Sequence, residues 1–305
     1  MNRFSLPLKI LSIIVRTAHL WRATSGMNRC SLPPEILSII VQHVYSERTL
    51  LNISQCSRFL QIEAERALYR EVAYVPKFGI GNIRCLSACP RLAGYIHSLD
   101  LSMVCQYPIA SSEIKVLESL RNSFHYMDQL KILALSAVVN SNRCLIPSTK
   151  CPFRLNSLSI ADDCPNGELR DDVLAFLQVQ TDIEDLDIYF ESLDRVSSSL
   201  FFPRLKTLHS DGYGIAPLLL GRSVKRLFFQ EDPGSRFPGS RFEGAQSLQV
   251  LRLEVFSNLQ RFVLCFSNLR YLELRLTHVS ALIYRLLNRR LISDPTHSRK
   301  NQRTT

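Results

Sequence analysis

Several short groups in this chain have the side-chain types of catalytic sites. His209, Ser210 and Asp211 are adjacent and supply the three residue types of a hydrolytic triad. A triad is assembled from separate elements, and no nucleophile elbow precedes these residues, so the spacing disfavours a hydrolase. Gly79-Ile80-Gly81 lacks the third glycine and the preceding strand of a dinucleotide fingerprint. We therefore expect no enzymatic activity and no cofactor.

Cysteine chemistry is the next candidate. The chain has nine cysteines, and none of them forms a CxxC pair. Cys85, Cys89 and His97 could supply three zinc ligands, but their spacing matches no common zinc pattern, so we expect core residues and no metal. An odd number of dispersed cysteines is typical of reduced thiols, which predicts a cytoplasmic and/or nuclear protein.

The positive charge of the chain is concentrated at its two ends. The formal net charge is +10. Residues 1–34 contribute +5 and residues 285–305 contribute another +5, which leaves the residues between them neutral. Specific nucleic-acid binding by a folded surface would need basic charge on that surface, so we expect no specific nucleic acid. The basic ends leave one function of this class open, that of a nucleic-acid-associated factor which binds through those ends.

The N-terminus contains a near repeat. Residues 1–15 match residues 27–41 at twelve of fifteen positions, but only the second copy continues into further helical patterns. A local duplication or an upstream start codon explains the first copy best, and an organelle transit peptide is the alternative, because the segment has spaced arginines and no acid. We expect residues 1–26 to be poorly ordered. The apolar run from Ile10 to Val15 is shorter than a membrane span, which needs roughly 18 residues.

Three short helices are predicted between residues 32 and 72. Pro33 and Pro34 favour a helix start, and apolar residues then recur at helical spacing up to Val44. After a polar break at residues 45–48, Leu50 and Leu51 belong to a second helix, and Ser57 is the predicted N-cap of a third. A unit of about 40 residues buries little surface, so we expect it to be stabilised by contact with a partner or with the rest of the chain.

This pattern resembles an F-box. The resemblance rests on Leu32-Pro33-x-Glu35-Ile36-Leu37, the leucine pair, Cys56-Ser57-Arg58 and Leu68-Tyr69-Arg70. It implies docking onto a Skp-type adaptor of a cullin ubiquitin ligase core. The residues that the resemblance assigns to this docking are Leu32, Pro33, Ile36, Leu37, Ile40, Leu50 and Leu51. The alternative is an ordinary three-helix cap on the region that follows.

A second pattern repeats after Val72. Eight segments share the form apolar-x-x-Leu-x-apolar, although Ser210 replaces the last apolar residue of one. Their central leucines lie 19 to 34 residues apart and are Leu99, Leu133, Leu158, Leu186, Leu208, Leu227, Leu251 and Leu272. This period is typical of leucine-rich repeats, in which parallel strands are connected by helices or turns. Predicted connecting helices cover residues 112–126, 169–178, 192–200 and 217–221, and a last helix at 280–290 would cap the stack.

The predicted strands define a recognition surface. Because side chains alternate in a strand, the residues flanking each central leucine point to the concave face. Aromatic and arginine side chains contribute most to interface energies, and they are concentrated in the C-terminal half. The predicted substrate-binding residues are Asp187, Tyr189, His209, Asp211, Phe228, Gln230, Arg252, Glu254, Tyr271 and Arg275.

Together these patterns predict an α/β solenoid of leucine-rich-repeat-like parallel strands with intervening helices, preceded by a small all-α F-box-like unit. The predicted boundaries are a partial duplicate segment at 1–26, the F-box-like unit at 27–75, the solenoid at 76–290 and a disordered basic tail at 291–305. The expected function is that of a substrate-recognition adaptor of a Skp-cullin-F-box ubiquitin ligase. The alternative is a protein-interaction scaffold outside the ubiquitin system. No membrane association is expected.

Overall fold

The computed structural model describes residues 33–74, 81–102, 111–136, 145–161, 171–189, 201–210, 216–219, 222–230, 247–254 and 268–275. Several predictions lie outside these residues. They are the segment at 1–26, Leu32, the helices at 192–200 and 280–290, and the basic tail.

The described part begins with three helices, α1 (Pro34–Gln42), α2 (Glu47–Ser54) and α3 (Arg58–Tyr69). Pro34 stands in the first turn of α1, where its missing amide hydrogen costs nothing. Ser46 Oγ accepts a hydrogen bond from Thr49 N at the start of α2, so this helix begins inside the predicted polar break. Ser57 Oγ accepts from Leu60 N over 3.2 Å, which confirms the predicted N-cap of α3.

These helices enclose a small core of their own. Val41 and Val44 from the α1 side meet Leu50 and Ile53 of α2 and Ala64 of α3. This core is separate from the main core of the protein.

One charged group lies beside this small core. Glu63 of α3 is buried, and its carboxylate accepts a hydrogen bond from Ser38 Oγ and one from Arg66 Nη1, both over 2.6 Å. Pairing of this kind is what makes a buried carboxylate tolerable. The Ser38 bond also connects α1 to α3.

The rest of the described chain is organised around one sheet of nine strands. All of them are parallel, and their order in the sheet is their order in the sequence. The strands are β1 (Glu71–Ala73), β2 (Ser98–Leu101), β3 (Ile132–Ser136), β4 (Ser157–Ala161), β5 (Asp185–Tyr189), β6 (Thr207–Ser210), β7 (Arg226–Gln230), β8 (Val250–Glu254) and β9 (Tyr271–Arg275). With helices between its strands, the sheet has the α/β solenoid-like arrangement that the sequence predicted.

Register aligns the eight predicted leucines in a single row. Leu99 pairs with Leu133, and the pairing continues strand by strand to Leu272. The row is fully buried from Leu99 to Leu251, and Leu272 on the last described strand is 37% exposed. Each strand therefore buries its leucine against the next copy of the same position, which is how a solenoid builds a continuous core.

Connecting helices cover the buried face of the sheet. They are α4 (Gly81–Ala88), α5 (Pro90–Ala93), α6 (Ser111–Ser123) with a 3₁₀ turn at Phe124–Tyr126, α7 (Asp171–Val179) and α8 (Ala216–Leu219). The helices α6 and α7 and the 3₁₀ turn each bury an apolar side, whose buried residues are Val116, Leu117, Leu120, Phe124, Val173, Leu174, Phe176 and Leu177. None of the described helices is long and apolar enough to cross a membrane.

The helical unit is joined directly to the first end of the sheet. Strand β1 follows α3 after one residue and pairs with β2, so the sheet begins at Glu71, a strand that the sequence patterns did not predict. Arg91 pairs with Glu65, and this hydrogen bond holds the pKa of the Glu65 carboxyl below its usual value. The guanidinium groups of Arg91 and Arg66 both lie over the Tyr95 ring, 5.8 and 5.6 Å from its centre.

Candidate interaction surfaces

The face of the sheet opposite the leucine row is open, and we call it the open face. Its central positions form one row across the sheet, one residue after each buried leucine. The row consists of Asp100, Ala134, Ser159, Asp187, His209, Phe228, Arg252 and Glu273. All eight are half-buried. We call the last six of these residues the polar ladder.

Contacts within the polar ladder join Ser159 to Asp187 and, separately, His209 to Phe228, Arg252 and Glu273. Ser159 Oγ donates to Asp187 Oδ2 over 3.1 Å. The His209 and Phe228 rings are stacked, with centroids 4.1 Å apart and planes 16° from parallel. The Arg252 guanidinium lies 5.7 Å from the centre of the Phe228 ring, and its Nε is 3.4 Å from Glu273 Oε1. The ladder therefore presents an acid, two stacked rings and a cation in a line.

Electrostatics at the centre of the ladder favour neutral His209. Burial lowers the pKa of its imidazole, and Arg252 lowers it further, while Asp187 and Asp185 oppose the shift. Asp187 Oδ1 is buried and has no hydrogen-bond partner in the structure. A protonated His209 on the neighbouring strand would place a positive charge beside this carboxylate.

The structure brings together four of the ten predicted substrate-binding residues. They are Asp187, His209, Phe228 and Arg252, which are consecutive in the polar ladder. Gln230 and Tyr271 are exposed on the same face in other rows. Tyr189, Glu254 and Arg275 lie in strands, but their side chains are outside the described part, and Asp211 is outside it altogether.

Sequence reasoning left two members of the ladder out of the predicted set. Ser159 and Glu273 each follow a central leucine and so face outward by strand alternation, but neither is among the ten predicted residues. The signal for both was the alternation of the strands, but their importance comes from cross-strand partners, Asp187 for Ser159 and Arg252 for Glu273. Thr207, another position expected to face outward, is buried at 7% exposure.

The side chains of His209 and Ser210 do not converge on one site. His209 is on the open face, whereas Ser210 is 3% exposed on the buried side of the same strand. Alternation in a strand sends adjacent side chains to opposite faces, so this serine and this histidine cannot act on one another.

A second surface lies on the helical unit. Pro33 is exposed and caps α1, since its carbonyl accepts from the amides of Ile36 and Leu37 over 3.0 and 3.2 Å. Ile36 is 43% exposed and Leu51 53% exposed. Leu37 and Ile40 are half-buried, and these two, with Pro33, Ile36 and Leu51, retain accessible surface.

Leu50 is a correction to the predicted docking set. It is 4% exposed and belongs to the core of the helical unit, so it does not present a surface to a partner. Adjacent residues on a helix point about 100° apart, and here Leu50 points inward while Leu51 points outward.

Two further apolar side chains of the helical unit are exposed. Ile39 of α1 is 52% exposed and Phe59 of α3 is 37% exposed. The sequence signal for Ile39 was its position beside the inward stripe of α1, where it widens the apolar face. We call Ile36, Ile39, Leu51 and Phe59 the apolar helix residues.

The described cysteines do not form a common site. Cys151 is buried, and burial raises the pKa of its thiol to about 11. Cys85 is exposed, contrary to the expected core position, because it lies on the outer side of α4, whose inward residues are Ile83 and Leu86. In the part of the chain that the structure describes, no three His, Cys, Asp or Glu side chains are grouped so as to hold a metal ion.

Comparison with known families and with curated proteins finds no family model and no protein that matches this chain.

Proposed function

We propose that this chain is a substrate-recognition adaptor of a Skp-cullin-F-box ubiquitin ligase. The helical unit docks onto a Skp-type adaptor, and the open face of the leucine-rich-repeat-like sheet holds a target protein. The chemistry of ubiquitin transfer belongs to other subunits of the ligase.

The observation that carries the proposal is the exposure of the apolar helix residues. The unit already has a core that Val41, Leu50 and Ile53 fill, yet Ile36, Ile39 and Leu51 remain between 43% and 53% exposed. Exposed apolar groups concentrated on one small unit are typical of a protein-binding surface. Ile36 and Leu51 also belong to the residues that carry the F-box resemblance, which supports a Skp-type adaptor as the partner.

Target binding is assigned to the polar ladder. Stacked rings and an arginine are the side chains that contribute most to protein interfaces, and Phe228 and Arg252 supply them at half-buried positions. Strands about 4.8 Å apart give the six ladder strands a width of roughly 24 Å, which is enough to contact a folded partner or an extended segment.

The test is co-purification of the full chain with a Skp-type adaptor. We expect the wild-type chain to retain the adaptor and the variant Ile36→Asp with Leu51→Asp to lose it, because two charges would be buried at the contact. The matched control is Tyr126→Asp, since Tyr126 is equally exposed at 53% but lies in the sheet region. Retention of the adaptor by the double variant would contradict the proposal.

A scaffold outside the ubiquitin system is the second candidate. It is favoured by the contacts of Arg91 and Tyr95 with α3, which attach the helical unit to the end of the sheet as a cap. A capping role alone predicts that no Skp-type adaptor binds. It also predicts that disrupting Arg91 lowers stability without changing any interaction of the apolar helix residues.

A further inference from the structure

The edge of the sheet at which the strands begin has its own row of side chains. The residue just before each strand donates its amide to the carbonyl of the equivalent residue on the strand before it, over 2.8 to 2.9 Å. From β3 to β9 these residues are Lys131, Asn156, Glu184, Lys206, Lys225, Gln249 and Arg270. We call them the edge row.

Two ion pairs lie in the middle of this edge. Lys206 Nζ lies 2.6 Å from Glu184 Oε2, and the neighbouring Arg204 Nη1 lies 3.1 Å from Asp182 Oδ1. Beyond Lys206 the described edge row has no acid. Lys225 and Arg270 are exposed, and neither forms an ion pair with a described acid.

A groove of about 440 Å³ lies at this unpaired end of the edge, before β7, β8 and β9. The described residues of its lining are all polar and include no acid: Ser223, Lys225, Ser247, Gln249, Asn268 and Arg270. The Ser247 hydroxyl lies 2.9 Å from the Val224 carbonyl and 3.0 Å from that of Arg222, so its hydrogen is directed at the backbone. The two cations and the Gln249 amide are left as donors toward the groove.

The spacing of the two cations suits one shared anion. Lys225 and Arg270 flank Gln249 and are two strands apart, which is roughly 10 Å between their backbones. Both side chains are long enough to converge on a group between them. A lysine provides a compact point charge and an arginine a planar pair of donors, the combination that matches a doubly charged group with several acceptor oxygens.

We propose that this groove binds a phosphoryl dianion, either of a small phosphate compound or of a phosphorylated side chain on a bound protein. The site lies at the strand-start edge, in a different row from the polar ladder. It therefore does not depend on the function proposed above, and its failure would leave that function untouched.

Calorimetric titration of the full chain with inorganic phosphate at constant ionic strength tests the proposal. We expect saturable binding that the variant Lys225→Ala with Arg270→Ala weakens on the order of tenfold or more, because two charge-assisted contacts are lost. The matched control removes the same charge from α6, where Lys115 and Arg121 are exposed, through Lys115→Ala with Arg121→Ala. The control should bind like wild type.

Two results would overturn the proposal. One is a titration indistinguishable from sodium chloride of equal ionic strength, and the other is an equal loss in both double variants, which would indicate net charge alone. Unfolding curves of both variants show that the fold is retained. A short neutral peptide with and without phosphoserine distinguishes the two sources: tighter binding than inorganic phosphate identifies a protein side chain, and weaker binding identifies a small molecule.

Discussion

His209 lies near the middle of the polar ladder. Its ring is stacked on Phe228, and the carboxylates of Asp187 and Asp185 oppose the burial that keeps it neutral. Because the pKa of His209 is shifted in the folded protein, its protonation is linked to the stability of the fold. Two of our predictions concern this residue and its neighbours.

The first prediction concerns acid stability. The folded pKa of His209 lies below the ordinary value of 6.5, so the unfolded chain binds the proton more readily. The contribution of His209 is therefore full above pH 6.5 and is lost as the pH falls through the folded pKa. His97, whose pKa is also lowered by burial, contributes in the same direction.

Urea unfolding midpoints measured at several values between pH 8 and pH 5 test this sign. In His209→Gln the decrease toward low pH should be smaller than in wild type, with the remainder due to His97 and other groups. An identical pH profile in the two proteins would show that His209 does not titrate differently in the folded state.

The second prediction concerns the stack itself. Aromatic pairs and cation-π contacts each contribute about 0.5 to 1.5 kcal/mol beyond burial. A double-mutant cycle of His209→Ala and Phe228→Ala should therefore give a coupling free energy of about 1 kcal/mol in unfolding experiments. A cycle pairing Phe228→Ala with Tyr271→Ala, which lies two strands away in another row, should give additivity.

For single residues, the sequence predicts which face of the sheet a side chain points to, but it does not predict which side chains contact each other. Alternation was enough to place His209, Phe228 and Arg252 on one face. The ring stack and the Arg252 to Glu273 contact depend on register, which aligns strands separated by about twenty residues. The sequence of a single strand does not contain this register, which is known only once the neighbouring strands are paired.

Among the elements, α1 and α3 illustrate how a small unit is held together. Their connection includes the bond from Ser38 Oγ to the buried Glu63 carboxylate, which Arg66 also supports. A buried carboxylate that loses a donor bears an uncompensated desolvation cost. We therefore expect this hydrogen bond to contribute more to the free energy of unfolding than its part-buried position suggests.

The third prediction follows from this bond. Ser38→Ala should lower the free energy of unfolding by about 1 to 3 kcal/mol, because Glu63 loses one of its two partners. Ser119→Ala is the matched control, since Ser119 Oγ donates only to the Lys115 carbonyl on the exposed side of α6. Chemical denaturation of both variants provides the comparison, and equal effects would argue against a role for the Glu63 contact.

Elements with strong periodicity were predictable, and short ones were not. Eight strands were predictable from the repeated leucine pattern, and seven of the eight leucines are fully buried; Leu272 on the last described strand is the exception. Strand β1 has one buried residue, Val72, in only three positions, which carries no period. The two leucines of α2 could not be assigned to core or surface until the phase of the helix was known, and this is why Leu50 was misplaced.

At the scale of the whole molecule, the continuous leucine row couples the stability of each strand to that of its neighbours. Leu186 is fully buried between Leu158 and Leu208, whereas Asp185 beside it is exposed. Removing a side chain from the middle of such a row opens a cavity that adjacent strands share.

The fourth prediction uses this contrast. Leu186→Ala should cost about 2 to 5 kcal/mol of unfolding free energy, as large-to-small core changes do, and Asp185→Ala should change it by less than about 0.5 kcal/mol. Hydrogen exchange should show faster exchange in β4 and β6 of the leucine variant as well as in β5. Loss of protection in β5 alone would contradict a core shared between strands.

The central claim is that the molecule joins two chemically different surfaces, an apolar one on the helices and a polar one on the sheet. Its most direct test is the affinity of the purified full chain for a purified Skp-type adaptor, measured by calorimetry. We predict saturable binding at one-to-one stoichiometry that Ile36→Asp with Leu51→Asp abolishes and that Phe228→Ala with Arg252→Ala leaves unchanged. Absence of binding by the wild-type chain, or equal binding by the helix variant, would contradict the account.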